Sequence, residues 1–294
     1  MPAADKNQRS APMIVRLQGN IDDDSRDMQA LLVALGPIHG ERTTRKWQLR
    51  CGEVNYFGPW AVSAIAAAFL EGRRIGQAPR IVLPKEPGAL GAYCMFSGMA
   101  HLLRQGPAPL PDHPECETIP LEKFETASWD RSNRIIGLLN RHTTLDPDRE
   151  DQIRTCVQEV IQNVVDHAES PIGGVMSARY MAQRREIRVG IVDRGVGIAV
   201  KLGAKYPEVG SSLEALNRVI EGGYSSRSRP NNQGLGVSNL FGLCGSSGGR
   251  IAMFTGNAFA EVHPGVRPTT HTMGCVFPGT AVFFALPVGA MGAA

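Results

Sequence analysis

Apolar and polar residues follow different arrangements in the two halves of this chain. In the first half, strand-like stretches alternate with helix-like stretches, and MIVRLQGNI (13–21), WQLRCGEV (47–54) and PRIVLP (79–84) fit strands. Because strands that alternate with helices form layered structures, the pattern predicts an α/β domain over residues 13–105. The polar residues 1–12 that precede it are expected to form a flexible tail.

Helices are predicted between and after these strands. The first covers residues 24–38 and is expected to end at Gly36-Pro37, since proline interrupts a helix. A further helix is predicted over residues 88–103. The helix between them, residues 62–76, is rich in alanine and is expected to bury one face, formed by Val62, Ile65, Ala66 and Phe69.

The second half begins after a stretch rich in proline. Residues 106–128 contain five prolines with acidic residues between them, which indicates a linker. Asp146-Pro147-Asp148 is typical of a helix start, and the apolar residues after it repeat at helical spacing. Alternating strands follow, with a hairpin through Gln183-Arg184-Arg185. This order predicts an α+β sandwich over residues 129–290, with helices on one face of a mixed sheet.

Composition narrows the classes of function. The chain is 43% hydrophobic and 20% charged, which is typical of a soluble globular protein. No apolar run approaches the roughly 20 residues of a membrane span, and the polar start lacks a secretory signal, so we expect a cytoplasmic protein without a membrane partner. Six scattered cysteines are expected to be free thiols. The net charge is only +3 and the basic clusters are dispersed, so a nucleic-acid partner is not expected.

The first candidate for chemistry is a polar row on the long helix of the second half. Glu159, Asn163 and His167 are four residues apart and therefore lie along one side of the helix. A carboxylate beside an amide oxygen suits a hard cation such as Mg²⁺ and a water molecule that the carboxylate polarises. An exposed polar stripe on an amphipathic helix would give the same pattern.

Three further motifs follow it along the chain. Asp193-x-Gly195-x-Gly197 ends an apolar strand, where a carboxylate can accept a hydrogen bond from an amine and glycine lets the backbone approach a flat ring. Gly234-Leu235-Gly236 precedes a predicted helix, and free N–H groups at a helix N-terminus bind anions. Gly279-Thr280 begins a strand. Each motif alone also fits an ordinary turn or loop.

The four motifs in this order and spacing resemble the GHKL ATPase superfamily, over about 140 residues between Asp148 and Pro287. That group includes gyrase-type topoisomerases, the large heat-shock chaperone, mismatch-repair ATPases, histidine kinases and anti-sigma-factor kinases. The resemblance implies a Bergerat-type ATP-binding sandwich in which Asn163 binds Mg²⁺, Glu159 is the general base and Asp193 accepts the adenine amine. It implies further nucleotide contacts from His167, Gly195, Gly197, Arg227, Gly234, Leu235, Gly236 and Thr280, under a mobile lid formed by residues 202–233.

Residues 13–105 resemble a STAS-type domain, the fold of anti-sigma-factor antagonists. In that family the turn before the second helix presents a phosphorylated serine, but here the turn is Asn55-Tyr56-Phe57-Gly58-Pro59-Trp60. The resemblance therefore implies a docking or regulatory module without the phosphoacceptor. Tyr56, Phe57 and Trp60 fit either a contact surface or the core.

The resemblances together favour a regulatory protein that binds ATP and Mg²⁺, similar to the anti-sigma-factor serine/threonine kinases. It would hydrolyse ATP or phosphorylate a protein partner, which could be STAS-like or sigma-factor-like. One alternative is a non-catalytic nucleotide sensor. Another is a dimeric ATPase machine, disfavoured because such proteins need a transducer domain after Pro287. A homodimer stays open, whereas autophosphorylation at His142 is not expected because its flanking residues do not fit.

Overall fold

The computed structural model of the protein describes residues 12–40, 46–83, 98–104, 117–222 and 235–289. Within these ranges the strands and helices, numbered in chain order, are β1 (Met13–Ile21), α1 (Ser25–Gly40), β2 (Trp47–Phe57), α2 (Pro59–Arg74), β3 (Arg80–Val82), α3 (Met99–Arg104), β4 (Thr118–Phe124), α4 (Trp129–Asn140), α5 (Pro147–His167), β5 (Gly174–Met181), β6 (Glu186–Asp193), α6 (Ile198–Lys205), α7 (Ser212–Glu221), α8 (Leu235–Ser246), β7 (Arg250–Val262) and β8 (Thr269–Pro287).

The strands form two sheets. β1, β2 and β3 lie side by side in that order and run parallel, as strands joined by crossover helices can do. The second sheet has the order β4-β5-β6-β8-β7, and every neighbouring pair in it is antiparallel. The expectation of a mixed sheet was therefore wrong. The direct hairpins β5–β6 and β7–β8 explain the difference, because strands joined by a short connection run in opposite directions.

Five helices, α4 to α8, supply the residues that cover one face of the five-stranded sheet. Helix α5 begins where the sequence predicted: the Asp146 side chain accepts a hydrogen bond from the Arg149 N–H at 2.9 Å, and Pro147 is the first helical residue. Its predicted apolar residues are all buried, which confirms the predicted face. They are Ile153, Cys156, Val157, Val160, Ile161 and Val164.

The opposite face of this sheet packs against α1 and α2, which lie between the two sheets. Helix α2 is buried without interruption from Pro59 to Phe69, so the prediction of a single buried face was wrong. A helix that is apolar on all sides is stable only where it is covered on all sides. Its many alanines keep α2 thin enough to fit between two sheets.

One glycine lets α2 lie directly on β6. A Cβ on Gly190 would come within 2.5 Å of the Trp60 Cα, so only glycine fits there. Ser63 Oγ donates a hydrogen bond to the Gly190 carbonyl at 3.2 Å and lies 3.1 Å from Ser177 Oγ. Ser177 Oγ in turn donates to the Pro59 carbonyl at 2.9 Å. The halves therefore share a buried, hydrogen-bonded interface.

The aromatic residues of the first half belong to this interface. Phe57 and Trp60 are 0% exposed, and the Trp60 ring centroid lies 5.5 Å from that of Phe254 in β7. Tyr56 is partly buried, and its hydroxyl donates to Met181 Sδ at 3.4 Å. The core interpretation of these residues is confirmed.

A buried ionic cluster near the start of β6 also joins the two halves of the chain. Arg188 is 1% exposed; it pairs with Asp22, with Asp23 at 3.4 Å and with Glu186 at 2.7 Å. Burial raises the pKa of Asp23 to about 7, although Arg188 opposes the rise. Arg250 reaches Glu186 at 2.8 Å. Removing a single partner would leave buried charge uncompensated.

Two predicted boundaries were wrong. Strand β4 lies inside the predicted linker 106–128, so the second sheet begins at Thr118. Pro120 is tolerated because β4 is an edge strand whose pairing with β5 shifts register between Ile119 and Glu122.

Helix α1 continues through Gly36-Pro37 to Gly40. Its residue Ile38 is 5% exposed, so apolar burial outweighs the backbone hydrogen bond that Pro37 cannot make. Of the helix predicted at 88–103, only α3 and the residue before it fall within the described residues. No helix in the described ranges is both long and apolar enough to cross a membrane.

Candidate functional site

The candidate site is built around a buried carboxylate at the end of β6. Asp193 is 2% exposed, and its Oδ1 accepts hydrogen bonds from the Gly195 N–H at 2.8 Å and the Thr280 N–H at 3.1 Å. Burial raises the pKa of Asp193 to about 6, while these two backbone bonds oppose the rise. No residue in the described ranges donates to Oδ2. One carboxylate oxygen thus fixes the side chain, and the other can accept a further hydrogen bond.

The backbone of β8 at Gly279 packs closely against this carboxylate. Gly279 has a φ of +97°, a backbone conformation that residues other than glycine rarely adopt. A Cβ on Gly279 would overlap the Asp193 carbonyl oxygen and come within 2.6 Å of Oδ1. The structure therefore brings together Asp193 and Gly279-Thr280, two motifs that the sequence places far apart.

Thr255 in β7 completes this corner, and the sequence reasoning missed it. Its hydroxyl donates to the Gly279 carbonyl at 3.0 Å and accepts from the Ile198 N–H at 3.1 Å. A Cβ on Gly197 would lie 2.9 Å from the same hydroxyl oxygen. Thr255 thus ties the start of α6 to β8. Its only signal in the sequence was a Thr-Gly pair after the apolar run of β7.

The end of α5 lies against the loop that follows Asp193. The Val196 N–H donates to the Ala168 carbonyl at 2.8 Å, and a Cβ on Gly195 would overlap that same carbonyl oxygen. The Arg194 N–H donates to Ser170 Oγ at 3.2 Å. Ala168 and Ser170 were also missed, since neither residue type signals such a role. These contacts place the helix with the polar row next to the DxGxG loop.

Glu159, Asn163 and His167 are each partly buried on α5, flanked by buried apolar residues. With a rise of about 1.5 Å per residue, Asn163 lies about 7.5 Å along the helix axis from Ala168. Glu159 lies about 6 Å further away, one turn along the same side. The row therefore leads away from the Asp193 corner in the order His167, Asn163, Glu159.

The N-terminus of α8 points toward the same end of the sheet. Helix α8 leads into β7, which begins at Arg250 opposite Ala285, far from Asp193, so α8 runs antiparallel to α5. Burial raises the pKa of the Cys244 thiol, and Cys156 on α5 adds to the rise, so these two residues are neighbours. Leu235 lies about 13 Å before Cys244 along α8, which brings it level with the turn of α5 that contains Asn163. The first N–H groups of a helix lack intrahelical partners and attract anions.

Some predicted site residues have a different local structure from the one expected, or lie outside the described residues. The structure describes α8 from Leu235 onward, and Gly236 is helical rather than part of a preceding loop. Gly234 and Arg227 lie outside the described residues. Within the proposed lid, 202–233, residues 202–222 belong largely to α6 and α7, and α7 buries Ala215, Leu216 and Val219.

Arg194 faces away from the candidate site, toward α2. It is 9% exposed, and its guanidinium lies 5.6 Å from the ring centroid of Phe277. Its Nε and Nη1 atoms have no hydrogen-bond partner among the described residues. Burial lowers the pKa of Arg194 to about 10, so the side chain is still cationic at neutral pH. Asp193 and Arg194 are therefore neighbours in the chain, but Asp193 faces the candidate site and Arg194 faces the first half of the chain.

The four cysteines that the structure describes do not add a second reactive centre. Cys51, Cys156, Cys244 and Cys275 are free thiols, as predicted, and burial raises the pKa of Cys156 to about 11. A thiol with a raised pKa is a poor nucleophile. The described ranges contain no group of three or more His, Cys, Asp or Glu side chains suited to a metal.

No protein-family model matches the chain, and a search of curated proteins gives no significant match.

Proposed function

We propose that the chain binds ATP with Mg²⁺ between α5, the loop after Asp193 and the start of α8. We further propose that it is a regulatory protein of the GHKL type, similar to the anti-sigma-factor kinases. The observation that carries the proposal is the Asp193 corner, where a buried carboxylate is fixed by the Gly195 and Thr280 N–H groups. Arrangements of this kind suit recognition of one amine rather than general anion binding.

The residues of this corner fit an adenine ring. Asp193 Oδ2 would accept a hydrogen bond from the exocyclic amine, while Oδ1 is held by the backbone. Gly197 and Gly279 lack the side chains that would strike Thr255 and Asp193, so the backbone of the corner packs closely around the carboxylate. By the family resemblance, Gly197 would flank the adenine ring. By the family resemblance, Thr280 would add a contact through water, and Gly195 would shape the loop.

The polar row and the α8 N-terminus fit the phosphate end of the ligand. The Asn163 side-chain oxygen would hold Mg²⁺, an ion that binds oxygen, keeps several waters and needs few protein ligands. The N–H groups at Leu235 and Gly236 would face the phosphates. Contacts from His167, Gly234 and Arg227 are part of the same proposal.

Glu159 is the proposed general base. When bound, the nucleotide supplies a transferable γ-phosphoryl group. Glu159 lies one turn from Asn163 on the same side of α5, where its carboxylate would take a proton from an attacking water or hydroxyl. The alternative is a non-catalytic sensor. Such a protein would bind Mg-ATP, and neither the wild type nor Glu159→Gln would turn ATP over.

The first half is proposed to be a STAS-like regulatory module. Its helices α1 and α2 cover the face of the five-stranded sheet opposite to the proposed nucleotide site. It would couple nucleotide occupancy to a regulatory protein partner. Whether a second copy of the chain takes part is tested by light scattering with and without Mg-ATP.

Thermal unfolding with and without Mg-ATP tests the proposal. A ligand at about 100 times its dissociation constant stabilises the fold by about 2.7 kcal/mol, which is readily measured as a shift in Tm. We expect Asn163→Ala and Asp193→Asn to abolish the shift. Asp148→Asn, an exposed carboxylate on the same helix α5, is the matched control and should keep it. Equal shifts in all four proteins would refute the site.

A further inference from the structure

Among the described residues, helices cover the three-stranded parallel sheet on one face only. Helices α1 and α2 pack on its inner face, through residues such as Val15, Leu49 and Cys51. The residues that alternate with these point outward: Ile14, Arg16 and Arg50 are exposed, and Gln48 is partly buried. Parallel sheets are normally covered on both faces, so an open face is unusual.

The strand register sets the outward residues in two adjacent rows. In β1 and β2, Ile14 lies beside Gln48 and Arg16 beside Arg50. In β2 and β3, Gln48 lies beside Arg80 and Arg50 beside Val82. We call this surface the arginine face; it is formed by Ile14, Arg16, Gln48, Arg50, Arg80 and Val82.

The charges of the arginine face are not neutralised within the described chain. No ion pair in the described ranges involves Arg16, Arg50 or Arg80, and Arg50 Nε donates only to Gln48 Oε1, at 3.1 Å. Glu53 lies at an exposed position further along β2, and no ion pair between described residues includes it. Three positive charges therefore stand together on an open sheet.

This arrangement disfavours folding. Register partners on neighbouring strands are about 4.8 Å apart, so the side chains of Arg16 and Arg50 begin side by side. Arg80 is diagonal to Arg50, at about 7–8 Å. Like charges at such positions destabilise a sheet, and a purely structural surface would gain from replacing one of them.

We propose that the arginine face is a docking surface for a protein partner that presents a cluster of carboxylates. Guanidinium groups form paired hydrogen bonds with carboxylates, and three of them match an acidic segment in charge. Ile14 is 43% exposed and Val82 is 40% exposed, which adds apolar contact area at opposite corners of the face. The surface lies in the first half and does not depend on the proposed nucleotide site.

Two features favour a protein over a nucleic acid. The arginine face includes no aromatic side chain on which a base could stack. Its positive charge is also confined to a small block, whereas a nucleic-acid surface tracks a backbone with many contacts.

The test uses a short fluorescein-labelled polyglutamate peptide at low ionic strength, measured by fluorescence anisotropy with the full chain. The double variant Arg16→Gln/Arg50→Gln is expected to weaken binding about ten-fold while its resistance to urea equals or exceeds that of the parent. The control Arg141→Gln/Arg267→Gln removes the same charge from exposed positions elsewhere. It should bind as the parent does.

Four outcomes would overturn the proposal. The parent does not bind the peptide, or the control variant loses as much affinity as the double variant. The double variant is less stable than the parent, which would give the two arginines a structural role. An oligothymidylate of matched length binds more tightly than the peptide through the same two arginines, which would make the surface a nucleic-acid site.

Discussion

Ionisation of Asp193 is expected to control how tightly the proposed site holds adenine. Burial raises the pKa of this carboxyl to about 6, with hydrogen bonds from Gly195 and Thr280 opposing the rise. The adenine amine is a hydrogen-bond donor, so the ionised carboxylate accepts from it more strongly than the protonated acid does. Nucleotide affinity should therefore fall as the pH drops through about 6.

The expected size follows from that pKa. For a pKa of about 6 the carboxyl is about 97% ionised at pH about 7.5 and about 9% ionised at pH about 5. If only the ionised form binds, affinity falls about ten-fold across this range, which is about 1.4 kcal/mol. Isothermal titration calorimetry with Mg-ATP at several pH values measures this directly.

Asp193→Asn is the matched variant. An amide that keeps its oxygen toward the Gly195 and Thr280 N–H groups turns its NH₂ toward the ligand amine. The flipped amide sets NH₂ against the two N–H groups, so both orientations lose a hydrogen bond. Binding by this variant should be weak at every pH. Wild-type affinity that stays constant down to pH about 5, or a variant that binds as the wild type does, would refute the reasoning.

The same shift makes folding stability depend on pH. The pKa of Asp193 in the folded protein is about 6, above the ordinary value of 3.8, so the protonated form favours folding. Its contribution is complete below pH about 4 and is lost as the pH rises through about 6, up to about 3 kcal/mol in the free energy of unfolding. Urea unfolding should show this pH dependence of the free energy of unfolding in the wild type but not in Asp193→Asn. Parallel plots of unfolding free energy against pH for the two proteins would contradict the prediction.

Further predictions concern catalysis and the interface between the halves. Glu159→Gln should lower ATP turnover about 100-fold or more while calorimetry shows unchanged Mg-ATP binding; unchanged turnover in the variant would contradict the role of Glu159, and no turnover by the wild type would favour the sensor alternative. Arg188→Met should lower the free energy of unfolding by about 3–5 kcal/mol because it leaves buried carboxylates unpaired. Arg194→Met, with two nitrogens unpartnered in the described ranges, should be neutral or stabilising in the same urea assay, and an equal loss in both variants would contradict this contrast. Gly190→Ala should lower the Tm, at a cost of about 1–3 kcal/mol, because its Cβ would strike Trp60; an unchanged Tm would show that α2 can move away.

Local signals carried much of the fold. The start of α5, its buried face and the β5–β6 hairpin follow from a capping aspartate, a proline at the first helical position and alternating apolar residues. The Asp193 and Gly279-Thr280 motifs were also visible, since glycines beside a polar residue at strand ends are unusual enough to notice. Their direct contact was not visible, because it depends on the pairing of β6 with β8.

Features that depend on contacts between distant segments could not be predicted from the sequence. Thr255 serves the site only because β7 pairs with β8, and nothing in its own neighbourhood signals this. Helix α2 was expected to bury one face because a single helix pattern does not show that a second sheet covers it. The Arg188 cluster joins residues far apart in the chain, and Pro120 hid β4 because an edge strand tolerates proline.

The most direct test of the central claim is a crystal structure of the chain with Mg²⁺ and a non-hydrolysable ATP analogue. The account predicts the adenine amine within hydrogen-bonding distance of Asp193 Oδ2. It also predicts the metal at the Asn163 side-chain oxygen and the phosphates at the N-terminus of α8. An analogue bound elsewhere on the protein, or one whose adenine does not reach Asp193, would contradict it.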